Sequence, residues 1–405
     1  MKKKFNLKLS LYILLCSFLF TTGCKDFDYN KNVILVTGTD SNPVARFVVE
    51  NTPSSYTVTA SSTEKVTQDV KVNFAVDNSL VEEYNRKNQT SFYPIPASAM
   101  QVDGSQGVIK AGSASSTGIT VKIVSTADFV DGRTYVIPVT IKSVEGAKID
   151  ILEPSKTIFL RVSRVINFNS LNMNNTNLYS NFIFDDSKAV NLPNYTYEIK
   201  CFINAWHTTP EQISRLVSFT AKDESRSNML RFGENGQDIN SLQWVSPGGS
   251  VVSAKRFNTG QWYTISLTFD GKKYVMYVDG VKDVELIGST ASTFQRFELG
   301  MSWENYPARQ YFNGRVAEAR VWNRALTANE LQLGICGVDP KSAGLVAYWK
   351  FNEGNGSIFK DATGNGYDMD WSKTVRDNTG NGTLNPFNKS SYVGWLFDGV
   401  NKCSQ

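Results

Sequence analysis

The chain has 405 residues, with 42 Lys and Arg, 38 Asp and Glu, and one His. Four of the lysines (Lys2, Lys3, Lys4 and Lys8) fall in the first ten residues, so residues 24–405 carry 38 bases (42 minus 4) against 38 acids. A formally neutral body offers no electrostatic attraction to nucleic acid or to an anionic membrane surface, and a chain of this length can bury two sizeable cores.

The four lysines precede a largely apolar run, Leu9 to Phe20, and the small residues Thr21-Thr22-Gly23. A dozen residues are too few to span a bilayer, which needs roughly 20. The segment 1–23 therefore reads as a cleaved export signal. Cys24 directly after Gly23 resembles a bacterial lipobox, which implies a lipid on the Cys24 thiol. Lys25-Asp26-Phe27-Asp28 resembles the short signal that sends Bacteroidetes lipoproteins to the outer face of the outer membrane. These resemblances imply a lipid-anchored protein facing the cell exterior, with residues 24–32 as its tether.

Cys16 leaves with the signal and Cys24 takes the lipid, which leaves Cys201, Cys336 and Cys403. Three thiols allow one disulfide, and the sequence does not choose the pair. There is no CxxC and no Cys/His cluster, which argues against a structural zinc site.

From Val33 to Val165, short alternating runs recur between turn residues. Ser55 to Thr59, Val70 to Val76, Ile119 to Val124, Tyr135 to Ile141 and Thr157 to Val162 predict strands of a β-sandwich. Ser79-Leu80-Val81-Glu82 has the form of a capping box, and predicts a short helix presenting Leu80, Val81 and Tyr84 on one face. Leu80 to Asn85, Pro94, Pro96 and Tyr135 to Val139 resemble an uncharacterised domain family found just after the lipobox in Bacteroidetes surface proteins. That resemblance spans about residues 30–160 and implies an immunoglobulin-like spacer over 33–165.

The second half, 166–405, carries denser signals. Trp262 to Phe269 alternates strictly, with Ile265, Leu267 and Phe269 on one face. Asp270-Gly271 and Asp279-Gly280 punctuate it, with Tyr274 to Val278 between them and Val281 after, which predicts a β-meander. Phe312 to Thr327 predicts a strand entering a capped helical turn, with Thr327 and Glu330 as capping box and Leu326 and Leu331 as hydrophobic staple. The Trp262 strand, the Tyr-Val-Asp-Gly hairpin and Arg320-Val321-Trp322-Asn323-Arg324-Ala325-Leu326 resemble the laminin-G-like, concanavalin A-like jelly-roll family. Gly344 to Gly354 also resembles it, though there the segment more often opens the domain; the strand order of the last sixty residues is left open. The whole chain thus reads as all-β: an immunoglobulin-like sandwich, then a concanavalin A-like jelly roll.

That fold hosts lectins, glycosidases and adhesive modules alike. His207 is the single possible imidazole base, and no G-x-S-x-G or H-E-x-x-H surrounds it. No Glu-x-Asp-x-x-Glu cluster is present, and Glu298 and Glu318 stand singly on predicted strands, whereas glycoside hydrolysis uses two carboxyls about one bond. No catalytic residue is assigned.

Sugars pair apolar C–H faces with dense hydroxyls, so binding sites combine an exposed aromatic ring with amide, carboxylate or guanidinium groups. Trp262, Trp322, Trp349 and Trp395 lie in strand-like surroundings and read as core. Trp206, Trp244, Trp303 and Trp371 lie in polar, loop-like surroundings. Trp303, Asn305, Tyr306 and Arg309 form the best ligand-binding cluster, with Trp206 and His207 second. Asp361, Asn365 and Asp368 surround a tight turn with oxygens, as calcium prefers, although the same turn serves equally as a glycine-rich loop with solvated acids. No cofactor is required. The expected function is capture of a glycan at the cell surface for neighbouring degradation and uptake, beside an outer-membrane transporter complex. The rivals are a glycosidase and a protein-binding scaffold.

Overall fold

The computed structural model describes residues 31–130, 132–173, 180–206, 212–234, 236–300, 310–371 and 394–404. Two hydrophobic cores organise them. One gathers side chains between Ile34 and Val162, the other side chains between Leu171 and Trp371.

In the first half the expected strands are observed as Ser54–Val58, Val70–Val76, Ile119–Ile123 and Tyr135–Glu145. Val70, Val72 and Phe74 enter the core from alternate positions, as the period of two requires. Val70–Val76 pairs antiparallel with Tyr135–Glu145, which pairs antiparallel with Thr157–Asn172. Ile119–Ile123, flanked by Ser54–Val58 and Met100–Asp103, closes the core from a second sheet.

The predicted helix is present as Leu80–Asn88, but its capping box is not formed. Ser79 has helical dihedrals (φ −65°, ψ −21°) instead of the extended backbone that aims an N-cap oxygen at the first turn. Asp77 captures it: Oδ1 accepts from the Ser79 hydroxyl at 2.5 Å and from its N–H at 3.2 Å.

The strand expected to end near Val162 instead runs from Thr157 to Asn172. Its first part pairs with Val44–Val49, its last part with Gly394–Ser404 and Gly314–Trp322. One unbroken strand therefore crosses the expected boundary at 165 and makes a single 13-stranded sheet continuous through both halves.

Two sheets enclose the second core. The shared sheet contributes Val281–Ile287, Lys273–Val278, Trp262–Phe269, Tyr195–Ile203 and Gly314–Trp322, in that order. A six-stranded sheet opposes it in the order Ser180–Ile183, Arg296–Leu299, Ser214–Thr220, Asn228–Phe232, Ser241–Ser246, Gly249–Arg256. The predicted meander is present, and Asp279 (φ 52°) with Gly280 (φ 73°) takes the doubly left-handed turn that matches strand twist. Thr327 and Glu330 form both bonds of the expected capping box on the helix Ala328–Leu333, and Leu326 and Leu331 share one apolar cluster.

Among the described residues, pairing places two strands of the last sixty positions. Leu345–Trp349 lies antiparallel to the end of Gly314–Trp322, and Gly394–Ser404 lies along Thr157–Asn172. Cys336 and Cys403 form the disulfide, and Cys201 is the buried free thiol. Burial pushes the Cys201 thiol well above its ordinary pKa, so the nucleophilic thiolate is suppressed. Ellman's reagent should therefore find no reactive thiol from Cys201 in the native protein and one after denaturation; rapid native labelling of Cys201 would refute this burial.

Candidate functional site

The outer face of the shared sheet is built by the residues that alternate with its core. In Tyr195–Ile203, the residues Tyr195, Tyr197, Ile199, Cys201 and Ile203 face inward, which sends Thr196, Glu198, Lys200 and Phe202 outward. Neighbouring strands place Trp262 and Arg315 opposite Phe202, and Asn172 opposite Arg315. The Trp262 ring meets Phe202 edge-on at 5.4 Å and Phe168 at 5.1 Å between centroids. The Arg315 guanidinium lies 3.9 Å from the Phe202 centroid and 5.7 Å from that of Trp262. All four side chains are half-buried. They form a platform of aromatic rings with a stacked cation, outside the core that the tryptophan was expected to join.

Along the same face the polarity rises. Lys200 Nζ sits 4.3 Å from the Phe168 centroid and donates to the Ile335 carbonyl at 3.3 Å. Burial lowers its pKa, partly opposed by Glu318. Beyond it, Arg320 is 2% exposed and bridges two carboxylates: it reaches Glu198 at 3.3 Å and pairs with Glu318. Glu198 also accepts from Trp322 Nε1 at 2.8 Å and from the Ser266 hydroxyl, and Glu318 accepts from the Tyr348 hydroxyl at 2.9 Å. Burial opposes the Arg320 charge, and the two carboxylates outweigh it and raise its pKa. The helix Ala328–Leu333 and the turn after it cover this cluster; Leu331 packs with Trp322 and Tyr348.

The turn after that helix meets the first half. Asp339 accepts from Arg133 Nε at 2.6 Å and from the Tyr93 hydroxyl at 3.2 Å, while Arg133 stacks 4.4 Å from the Tyr93 centroid. Burial raises the Asp339 pKa, but the Lys341 N–H and Arg133 outweigh it and hold the carboxyl low. Gly132, at φ 81°, sits where an added Cβ would lie 2.0 Å from the Val338 carbonyl, so only glycine permits this approach. A cavity of about 100 Å³ remains between the halves, walled by Phe92, Tyr93, Trp322, Arg324 and Val338 among others.

Of the ligand-binding residues expected from sequence, Trp303, Asn305, Tyr306, Arg309 and His207 lie outside the described residues, as does Cys24. Trp206 is half-buried, with its ring 5.2 Å from that of Phe232. The flanks of the two loops do come together. Gly300 N–H donates to the Leu216 carbonyl and Arg215 N–H to that of Gln310, each at 2.9 Å, while Asn204 N–H donates to the Asn313 carbonyl at 3.0 Å. The described flanks of both segments therefore lie at the end of the sandwich where Phe202, Trp262 and Arg315 sit.

Trp244 and Trp371, read from sequence as loop residues, are fully buried. Trp244 closes on the Tyr274 edge at 5.8 Å and donates to Asn228 Oδ1 at 3.2 Å, so its indole N–H is satisfied inside the core by a residue from another strand. Trp349 is core as expected, and Trp395 packs against that core. Glu298 pairs with Arg296 at 2.7 Å on the opposite sheet.

The calcium candidates are engaged by their own turn and by the strand Leu345–Trp349. Asp361 accepts from Thr363 N–H and hydroxyl at 3.0 and 2.8 Å, from Tyr348 N–H at 3.1 Å and from Tyr367 N–H at 3.2 Å. Asp368 accepts from Asp361 N–H at 2.8 Å and from Lys360 Nζ at 2.6 Å. The Asn365 amide donates to the Val346 carbonyl at 2.9 Å. Among the described residues no group of three or more His, Cys, Asp or Glu side chains is placed to hold a metal.

This fold is one that known proteins share. Residues 180–332 match the family described as the concanavalin A-like lectin/glucanases superfamily, and residues 29–148 match a family described as an N-terminal domain. The two facing sheets of the second half thus have a concanavalin A-like fold, and residues 29–148 are similar to that N-terminal family. Among solved structures, a proposed carbohydrate-binding protein from Bacteroides ovatus is 22% identical, with a TM-score of 0.55 over 82% of this chain and 94% of its own. The heptameric SAP-like pentraxin of Limulus polyphemus is 12% identical over 44% of this chain and 87% of its own, with a TM-score of 0.33. EndoBT-3987 of Bacteroides thetaiotaomicron is 19% identical over 32% and 30%, with a TM-score of 0.27. The first shares the fold across most of both chains; the other two are too distant to carry an argument. No curated protein matches.

Proposed function

We propose that this chain is a lipid-anchored protein of the outer membrane, facing the cell exterior, that captures oligosaccharide or polysaccharide without cleaving it and presents it to a neighbouring transporter complex. The observation that carries the reading is the platform of Trp262, Phe202 and Arg315 at the loop end of a lectin-superfamily sandwich. Its rings offer apolar faces to sugar C–H groups, while Arg315 and the neighbouring amide Asn172 offer hydroxyl partners. Trp303, Asn305, Tyr306 and Arg309, together with Trp206 and His207, belong to the same site in this proposal, because the flanks of both segments meet there. The carboxylates Glu198 and Glu318 are held by Arg320 and by Trp322 and Tyr348, an arrangement suited to stability more than to proton transfer. The Lys-Asp-Phe-Asp sequence after Cys24 supports the surface location, and Asp361, Asn365 and Asp368 keep calcium worth testing.

Residues 25–405 should retain glycans from a diverse array unchanged in length, with calcium and with chelator alike. Truncating a central tryptophan in a binding patch costs about 2 kcal/mol, or roughly thirtyfold in Kd. Trp262→Ala should weaken capture by that amount while leaving the melting temperature nearly unchanged, and Trp303→Ala should weaken it independently. Shortened oligosaccharides would instead establish a glycosidase. Silence across the array from folded protein would favour a protein-binding scaffold.

A further inference from the structure

Strand phase sets two arginines side by side on the outer face of the first half. In Thr157–Asn172 the side chains of Ile158, Leu160 and Val162 enter the core, and in Val44–Val49 those of Phe47 and Val49 do, so Arg161 and Arg46 take the opposite face. The two strands run parallel with Arg161 directly opposite Arg46, at the roughly 4.8 Å spacing of neighbouring strands. Like charges placed so repel and weaken the pairing. Arg46 is fixed by the Ser163 hydroxyl, to which it donates from Nε at 3.1 Å and from Nη2 at 3.0 Å. Arg161 is half-buried and forms no ion pair among the described residues. Elsewhere Arg133, Arg231, Arg296, Arg320 and Arg324 each meet a carboxylate.

We infer that the cleft over this pair is a second binding site, which takes the oxyanion of a ligand: a carboxylate, sulfate or phosphate group. Its volume is about 290 Å³, close to twice the roughly 150 Å³ that admits a benzene ring, so the charged group fits together with a ring that carries it. The helix Ala328–Leu333 and the turn after it form the far wall, and no carboxylate lines the cleft among the described residues. The Thr134 hydroxyl and the amides of Asn329 and Gln332 stand on its walls, and none of these side chains is hydrogen-bonded within the described chain. Asn329 and Gln332 lie three apart and so share a helix face. Leu333 adds an apolar side, which lowers the local dielectric and strengthens the pull of a guanidinium on an anion. An oxyanion accepts parallel bonds from guanidinium forks and cancels their repulsion. A cation would add to that repulsion, and an apolar occupant would strip water from Arg161 with nothing in return.

The cleft shares no residue with the Trp262 platform, so the two sites can be tested apart. The probe is radiolabelled sulfate, in equilibrium dialysis against residues 25–405 at low, constant ionic strength. Sulfate should bind saturably, with a single ion per chain. Arg161→Gln should weaken it by about tenfold or more, as loss of a charge-assisted fork does. Gln332→Glu, which sets a carboxylate in the cleft, should do the same, and Trp262→Ala should leave binding unchanged. Each variant is checked for an unaltered circular dichroism spectrum. Acetate and methyl glucuronide, both carboxylates, then compete for the site: tighter displacement by the glucuronide identifies an acidic sugar as the source of the oxyanion, and any other order a free ion. Absence of saturable sulfate binding, binding kept in either cleft variant, or binding lost in Trp262→Ala would overturn the inference.

Discussion

Arg320→Met is expected to destabilise the protein by about 3–5 kcal/mol, because it leaves the buried Glu198 and the half-buried Glu318 without their shared cation. Glu198 is 3% exposed and Arg320 2%. Methionine fills much of the space of the arginine stem, so the loss reports charge more than cavity. Urea unfolding followed by tryptophan fluorescence reads the change as a lower midpoint, and a loss below about 1 kcal/mol would refute the central role of the pair. The triple variant Glu198→Gln, Glu318→Gln, Arg320→Met should regain most of the loss, because glutamine still accepts from Trp322 and Tyr348.

Removing the disulfide should have an effect of similar size. Cys336 and Cys403 are 67 residues apart, and closing a loop of that length restricts the unfolded chain by about 4 kcal/mol in the chain-entropy account. Cys336→Ser with Cys403→Ser should lower the melting temperature by about 10 °C. The loss is expected to be local at first. Gly394–Ser404 is the last strand and is held by its pairing with Thr157–Asn172 and by this crosslink, so its amides should lose hydrogen-exchange protection before those of Tyr195–Ile203. Uniform protection in the variant and an unchanged melting temperature would show that strand pairing alone suffices.

Much of the architecture was legible in local patterns. The strict alternation of Trp262–Phe269, the two Asp-Gly turns and the capping box of Thr327 and Glu330 each depend on residues within four positions of one another, and all are observed. Ser79 had the same local signature as Thr327 and behaves otherwise, because Asp77 competes for its hydroxyl two residues away. Tryptophans were harder. Trp244 and Trp371 looked loop-like by their neighbours, yet tertiary packing buries them; Trp262 looked like core, yet strand phase turns it outward. The ligand cluster picked around Trp303 lies outside the described residues, while the Phe168, Phe202, Trp262 and Arg315 platform went unread. Its members come from four separate strands, and the signal that would have found them was the outward phase of Phe202 in a strand whose alternate residues are all core.

By itself the sequence determined the class of each half, the helix and turn positions, and the neutrality of the body, because these follow from hydrophobic period, turn chemistry and composition. Only tertiary structure decided which cysteines pair, that one strand from Thr157 to Asn172 carries a single sheet through both halves, and that Glu198, Glu318 and Arg320 meet beneath a helix. Those features rest on contacts between residues dozens to hundreds of positions apart. Local periodicity shows which face of a strand a side chain takes, and only the folded chain shows what covers that face.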